Sequence, residues 1–332
     1  MKPAISVVTP TLNRVALLGE TMDCVAAQDF PDWEHIIVDD GSSDGTAQEV
    51  QRRSAGDPRI RWIARDGAKR GASICRNIGL RAARSDLIIF LDSDDLMDRD
   101  SLSLRHAAMM RNLDVDFGVF STGVFSKVPG DLGRELDPET LGDDLLRFLF
   151  FEVPWQTTAP TWRREALHRL GGFDETLLSW QDVDLHIRAI ASGMRYLRFR
   201  RVDHHMRWHW EDTKVSIMQR RSADHLRSAN AVIEKFERVV REGPGMNWVR
   251  QRALCSLYFL VAQLWLNIGD RRSAQRTWAL ARQRKLAPKT LHISGALLLA
   301  LQGLTGPRPY TERAINKWKG YVRMRTNPEL VV

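Results

Sequence analysis

Leu87-Ile88-Ile89-Phe90-Leu91-Asp92-Ser93-Asp94-Asp95 is a run of five apolar residues that ends abruptly in carboxylates. A run so short and so apolar reads as a strand buried on both faces, which is what a parallel sheet requires. The same texture recurs upstream. Ile5–Val8 runs into Thr9-Pro10-Thr11-Leu12-Asn13-Arg14, and His35–Val38 into Asp39-Asp40-Gly41-Ser42-Ser43-Asp44-Gly45-Thr46. Ile60–Ala64 is a further strand-like run, and helical patterns fill Val15–Gln28, Ala47–Arg53 and Ala72–Ala83. Strand alternating with helix across short polar connections predicts βαβ units and an α/β fold, a mostly parallel sheet with helices on both faces. Such sheets bind ligands beyond the carboxyl ends of their strands. Turn and capping chemistry explains any one of these polar clusters. Three of them converging on one rim point to a site.

Asp92 and Asp94 fall on the same side of an extended segment, because strand side chains alternate. Two hard oxygen ligands with open positions suit Mg²⁺ or Mn²⁺ held jointly with a diphosphate, whose departure the ion would assist. Lys69, Arg70 and Arg76 add positive charge nearby. There is no Gly-x-x-x-x-Gly-Lys loop and no Gly-x-Gly-x-x-Gly fingerprint, which argues against a P-loop enzyme and a dinucleotide dehydrogenase.

Beyond residue 125 the pattern is less regular until Gly171-Gly172-Phe173-Asp174-Glu175, a turn signal, and Trp180-Gln181-Asp182-Val183-Asp184, the acidic start of a helix. A basic and aromatic cluster follows, His204-His205-Met206-Arg207-Trp208-His209-Trp210. From about Ser216 the chain reads as helical throughout, over Ala223–Arg241, Trp248–Ile268, Arg272–Arg284 and Leu291–Leu301. The hairpin around Gly269-Asp270 has the look of one tetratricopeptide unit, but a single unit makes a bundle and not an array.

The 332 residues carry a net charge of +8, unevenly spread. Residues 1–215 hold 28 basic and 34 acidic side chains, whereas 216–332 hold 21 and 7. Two jobs are implied, and the basic half suits an anionic surface such as a membrane leaflet or nucleic acid. Within it, the segment 308–325 sets Arg313, Lys317, Lys319, Arg323 and Arg325 among Tyr310, Ile315, Trp318, Tyr321 and Val322, the pattern of an amphipathic helix at a lipid interface. Packing of that helix on the protein, or dimerisation through the bundle, are the alternatives. Cys24, Cys75 and Cys255 are scattered and form neither a metal spacing nor a disulfide framework, so a reducing compartment is expected. No signal peptide and no spanning helix is legible, which leads us to expect a cytoplasmic protein, peripheral to the inner face of the membrane at most.

Taken in order, Thr9-Pro10-Thr11-Leu12-Asn13-Arg14, Val38-Asp39-Asp40-Gly41-Ser42-Ser43-Asp44-Gly45-Thr46, Arg76-Asn77-Ile78-Gly79, Phe90-Leu91-Asp92-Ser93-Asp94-Asp95, Gly171-Gly172-Phe173-Asp174-Glu175 and Gln181-Asp182-Val183-Asp184 resemble the successive signatures of family-2 glycosyltransferases. Arg207-Trp208-His209 is similar to the closing segment, and the resemblance covers about residues 3–216. It implies a GT-A fold over 1–215, with a nucleotide-sugar half over about 1–125 and an acceptor half over about 126–215. Residues 216–332 would then be a separate basic helical domain. It implies inverting transfer from a nucleotide-diphosphate sugar, UDP favoured, to a hydroxyl of a glycan or lipid-linked glycan, as in cell-surface polysaccharide or lipopolysaccharide synthesis.

The resemblance also implies roles. Thr9, Asn13 and Asp39 would line the base pocket, with Arg76 near base and phosphates. Asp92 would contact ribose or donor sugar, and Asp95 would support Asp94 or bind that sugar. Asp94 would hold Mn²⁺ or Mg²⁺, with His209 completing the shell. Asp182 would be the general base, taking the proton of the acceptor hydroxyl; Asp184 falls on another helical face. Gln181 stands where the family usually has Glu, which removes a negative neighbour and makes Asp182 less basic than in a Glu-Asp pair. The loop Ala68-Lys69-Arg70-Gly71-Ala72 replaces the family's frequent Asn-x-Gly. Trp155 and Trp180 offer aromatic faces to an acceptor sugar, although core packing is the commoner fate of Trp. The rivals are a nucleotidyltransferase, which lacks its Gly-rich phosphate loop here, a non-catalytic nucleotide-sugar binder, and a nucleic-acid binder, for which no motif speaks.

Overall fold

A computed structural model of the chain describes residues 2–136, 142–208, 222–286, 288–305 and 313–319. The first half is built as expected. β1 (Ile5–Thr11), α1 (Val15–Ala26), β2 (Trp33–Asp39), α2 (Thr46–Gly56), β3 (Ile60–Ala64), α3 (Ala72–Ala82) and β4 (Leu87–Phe90) follow one another in order. β1 lies between β2 and β4 and is parallel to both, and β3 extends the sheet beyond β2. All seven residues of β1 and of β2 are buried, as strands in the middle of a parallel sheet should be. α3 is seated directly on β1. A Cβ on Gly79 would lie 2.2 Å from Val8 Cγ1, so only glycine lets the helix come this close.

The region expected to be less regular completes the sheet. β5 (Leu96–Met97), α4 (Ser101–Arg111), β6 (Phe117–Phe125), β7 (Arg134–Glu135), α5 (Asp144–Leu149), β8 (Pro160–Arg163), α6 (Arg164–Leu170), α7 (Gln181–Ala191) and β9 (Tyr196–Arg207) make the order β3-β2-β1-β4-β8-β6-β9-β5, with β7 paired to β6. β8 is antiparallel to both β4 and β6, so β6 points the same way as β4 and adds its carboxyl end to the same rim. The basic and aromatic cluster at 204–207 is the last third of β9, which lies beside β6 and β5. Its basicity concealed a strand. One buried ion pair pins α4 beneath it: Arg105 Nε and Nη2 donate to Asp203 at 2.6 and 2.8 Å, both side chains fully buried.

One apolar core lies on the face of the sheet covered by α1, α2 and α4, and another on the face covered by α3 and α7. The second core continues through α8 (Ala223–Glu242), α9 (Trp248–Asn267), α10 (Arg271–Gln283) and α11 (Lys289–Thr305). The boundary read from charge near 215 therefore falls between β9 and α8, yet the hydrophobic interior crosses it without a break. At 313–319 the expected amphipathic pattern is helical, but its apolar side is spent on packing. Ile315 and Trp318 are buried, with the Trp318 ring 4.3 Å from Phe259 and its Nε1 donating to Ser294 Oγ at 2.9 Å. Those two side chains are not available to a lipid interface, and Tyr310, Tyr321 and Val322 lie outside the described residues.

Candidate active site

The carboxyl ends of β1 and β2 are laced together. Asn13 sits in the left-handed region (φ 51°), from which its Oδ1 accepts the Ser43 N–H at 2.7 Å while its own N–H donates to Ser42 Oγ at 2.9 Å. Ser42 in turn donates its N–H and hydroxyl to Asp39 Oδ1 at 2.9 and 2.6 Å. Asp39 is thus held with one oxygen engaged and the other without a partner among the described residues, at the carboxyl end of β2. Asp40 turns the opposite way, to Arg65 and to the Gly71 N–H at 3.0 Å, and fixes the loop that enters α3.

The Thr9 side chain is not exposed at this rim. It is fully buried, and its hydroxyl lies 2.9 Å from Nε2 of His35, a histidine that burial pushes down to about 3 and so keeps neutral. Strand alternation carries the same side of β1 two residues on to Thr11. Thr11 pairs with Asp39 in register, and its buried Oγ1 has no partner. Sequence reasoning passed over Thr11. The register of β1 against β2 is the signal that would have found it.

Across the rim, Arg76 on α3 donates to Asp92 Oδ1 at 2.5 Å and lies over the Phe173 ring, with its Nε buried and unpaired. Asp94 is joined to Arg14 at 2.5 Å. Asp95 lies beneath them, accepting the Arg207 N–H at 3.1 Å and the Thr158 hydroxyl at 3.3 Å. Burial first, and then the charges of Asp94 and Asp92, hold its carboxyl well above the ordinary range. Asp95 is therefore the floor of the acidic turn. Arg207 also reaches the Asp94 carbonyl at 3.1 Å and Glu20 at 2.5 Å, so the end of β9 braces the turn from outside. His209, expected as a second metal ligand, lies outside the described residues.

Asn77, one residue after Arg76, ties the opposite wall to α3. Its amide donates to Phe173 O at 2.8 Å and Glu175 Oε1 at 2.9 Å, and accepts the Phe173 N–H at 2.9 Å. A Cβ at Gly172 (φ 71°) would sit 2.5 Å from that amide oxygen, which requires the glycine. The chain then enters α7 through Trp180, itself left-handed at φ 60°. Asp182 in the first turn feels the charges of Arg76 and Asp92. Burial pushes the Asp182 carboxyl up, against the opposing hydrogen bond from Val183 and the pull of Arg76. Gln181 is turned to the Leu177 carbonyl at 3.2 Å, and the basicity of Asp182 comes from burial. Asp184 is fully buried between Arg188 at 2.8 Å and Lys235 at 2.7 Å, which leaves it no catalytic freedom.

The two tryptophans part company. Trp180 is half-buried against Phe151, with part of its ring open. Trp155 is 1% exposed, packed among Phe148, His186 and Tyr196, so its faces are closed to an acceptor sugar. It is a core residue.

Asp92 and Asp94 are the partly exposed carboxylates of the acidic turn, each with an arginine on it, and no cluster of three His, Cys, Asp or Glu side chains able to hold a metal ion occurs among the described residues. That donor set fits an Mg²⁺ or Mn²⁺ ion that takes most of its ligands from a diphosphate.

The profile of Glycosyl transferase family 2 matches residues 6–171. The chain is 34% identical over 143 residues to the GalNAc(5)-diNAcBac-PP-undecaprenol beta-1,3-glucosyltransferase of Campylobacter jejuni. That match covers 43% of this chain and 45% of the relative, so it spans less than half of the relative's length. The fold is similar to that of S. aureus TarS 1-349 in complex with UDP-GlcNAc, with a TM-score of 0.64 and 16% identity over 97% of this chain and 91% of that one. It is also similar to the mannosyltransferase PcManGT from Pyrobaculum calidifontis in complex with GDP-Man and Mn²⁺, at TM-score 0.56 and 22% identity over 97% and 86%. The rim, the acidic turn and the helix bearing Asp182 all come in the order the signatures predict, and the chain belongs to glycosyl transferase family 2.

Proposed function

We propose that the chain is an inverting glycosyltransferase that moves a sugar from a nucleotide-diphosphate sugar, UDP favoured, to a hydroxyl of a glycan or lipid-linked glycan in surface polysaccharide synthesis. The observation that carries this reading is the convergence of Asp182, raised in basicity by burial, with Arg76 and Asp92 at the carboxyl rim of the sheet. The C. jejuni relative, named for an undecaprenol-linked substrate, supports the acceptor class, and the UDP-GlcNAc complex of TarS supports the donor class.

In this reading the free oxygen of Asp39 and the unpaired hydroxyl of Thr11 meet the base of the nucleotide. Asp92 and Arg76 meet the ribose or the donor sugar and the phosphates. A divalent cation held by Asp94, with His209 as a further ligand, would supply Lewis-acid neutralisation of the departing diphosphate. Asp182 accepts the proton of the acceptor hydroxyl while that oxygen bonds to the anomeric carbon. The carbon–oxygen bond to phosphate breaks on the opposite side, the diphosphate keeps the electron pair, and the configuration inverts. A carboxylate raised toward neutrality is the stronger base for this step, provided that it is ionised. Turnover should therefore fall as pH drops through the raised pKa of Asp182. The protein would work at the cytoplasmic side of the membrane; no helix among the described residues is long and apolar enough to cross one.

The test is nucleoside-diphosphate release from a panel of UDP-, GDP-, CDP- and dTDP-sugars with Mn²⁺ and glycan acceptors. Turnover with one nucleotide class, reduced about a hundredfold or more in Asp182→Asn while affinity for that nucleotide is unchanged, is the expected result. Equal turnover in the variant would remove Asp182 from the mechanism.

A further inference from the structure

α11 presents an apolar row to solvent. Ile293 is 49% exposed, Leu297 67% and Leu304 77%. At 3.6 residues per turn the three fall within about 40° of one another. The side of α11 that packs inward carries Leu291, Leu299 and Gln302, together with Gly295, where a Cβ would lie 2.5 Å from Trp278 Cζ2. These four lie opposite the row within about 40°. The helix is thus amphipathic the wrong way round, buried on one side and still apolar on the other. Single exposed leucines are ordinary on a protein surface, but an aligned row of them marks an interaction site.

The charge around the row identifies the partner. From Arg271 to Lys319 the chain carries eleven lysines and arginines and one acid, Glu312. On one flank of α11, Arg271 donates to the Gly303 carbonyl. On the other, the helical stretch at 313–319 is docked through Trp318 Nε1 on Ser294, with Arg313 and Lys317 exposed. Lys289 stands exposed at the amino end.

We propose that α11 is a docking face for an anionic lipid bilayer, in which Ile293, Leu297 and Leu304 enter the headgroup–acyl boundary while the flanking arginines and lysines meet lipid phosphates. Nucleic acid would satisfy the cations and leave the leucines wet. A second copy of the chain would cover the leucines but bring like charge against like charge. A lipid leaflet satisfies both.

The experiment is co-sedimentation of the full chain with large unilamellar vesicles of phosphatidylcholine alone, or with about one third phosphatidylglycerol. It compares wild type with Leu297→Glu/Leu304→Glu, whose sites are exposed, and a melting curve checks that the fold is kept. Wild type should bind the anionic vesicles about tenfold or more tightly than the neutral ones, more weakly at high salt. The double variant should lose about tenfold or more with an unchanged melting temperature. Failure of wild type to sediment with anionic vesicles, or equal binding by the double variant, overturns the proposal. So does light scattering that shows a dimer which the double variant dissociates, or tighter binding to a nucleic-acid duplex than to vesicles. None of these readouts depends on transfer activity.

Discussion

Lys235 on α8 joins two active-site segments from outside the sheet, and its removal is the perturbation whose size can be worked out most fully. Its Nζ lies 2.7 Å from Asp174 Oδ2, in the turn held by Asn77, and 2.7 Å from Asp184 Oδ1, on the helix of Asp182. Burial alone would raise Asp174, but hydrogen bonds from Lys235 and Thr176 bring it down from 3.8 to about 2. At about 1.4 kcal/mol per unit this is worth roughly 2.5 kcal/mol, shared between the two donors. Asp184 is fully buried and keeps Arg188 when the lysine is gone, so it loses part of the ~3–5 kcal/mol that breaking a buried pair costs. Lys235→Met should therefore destabilise the chain by about 3 kcal/mol at neutral pH. The sign with pH follows from the depressed carboxylate. The stabilisation is present above the unfolded value of 3.8 and is lost as pH falls toward about 2, so the deficit should be flat at neutral pH and shrink in acid. Urea unfolding followed by tryptophan fluorescence across pH measures it. Adding Asp184→Asn should deepen the loss, because Arg188 is then left without its carboxylate. A deficit under about 1 kcal/mol, or one independent of pH, would refute the coupling of α8 to the active-site turn.

Other consequences are open to equally simple tests. Asp182 carries a raised carboxyl, so ionising it opposes folding; Asp182→Asn should raise the melting temperature at neutral pH, with the gain vanishing as pH falls below 3.8. Arg14 occupies Asp94, so Arg14→Ala should bind Mn²⁺ about tenfold more tightly without nucleotide, as read by the Mn²⁺ paramagnetic resonance signal; unchanged affinity would mean that the pair does not guard the site. Asn77→Ala strands the buried N–H and carbonyl of Phe173 and should cost about 2–4 kcal/mol in urea unfolding, whereas a cost under 1 would show that the turn holds itself.

Much of this architecture was legible in the chain because buried parallel strands are spelled in apolar letters. Leu87–Leu91 and His35–Val38 had no other reading, and the carboxylates that follow them mark the rim. β9 was not legible, since Arg198, Arg200, Arg201 and Arg207 give an inner strand the composition of a surface. Its neighbours in the sheet, and the buried Asp203 that Arg105 neutralises, make it a strand. The burial of Thr9 against His35 was not legible without the register. Which face of β1 meets His35 depends on pairing with β2, and pairing is not written in either strand alone. Lys235 and Asp174 are 61 residues apart, and nothing local in either suggests the other. Trp155 and Trp180 were equivalent as letters, and only packing separated them.

The central claim is that a nucleoside diphosphate lies across the rim from Asp39 to Asp94. Isothermal titration of UDP, GDP, CDP and dTDP, each with and without Mn²⁺, into wild type, Asp39→Asn and Asp94→Ala tests it most directly. The account predicts that one nucleotide binds, that Asp39→Asn weakens it about tenfold or more, and that the contribution of Mn²⁺ disappears in Asp94→Ala. Binding of no diphosphate, or equal binding by both variants, would contradict it.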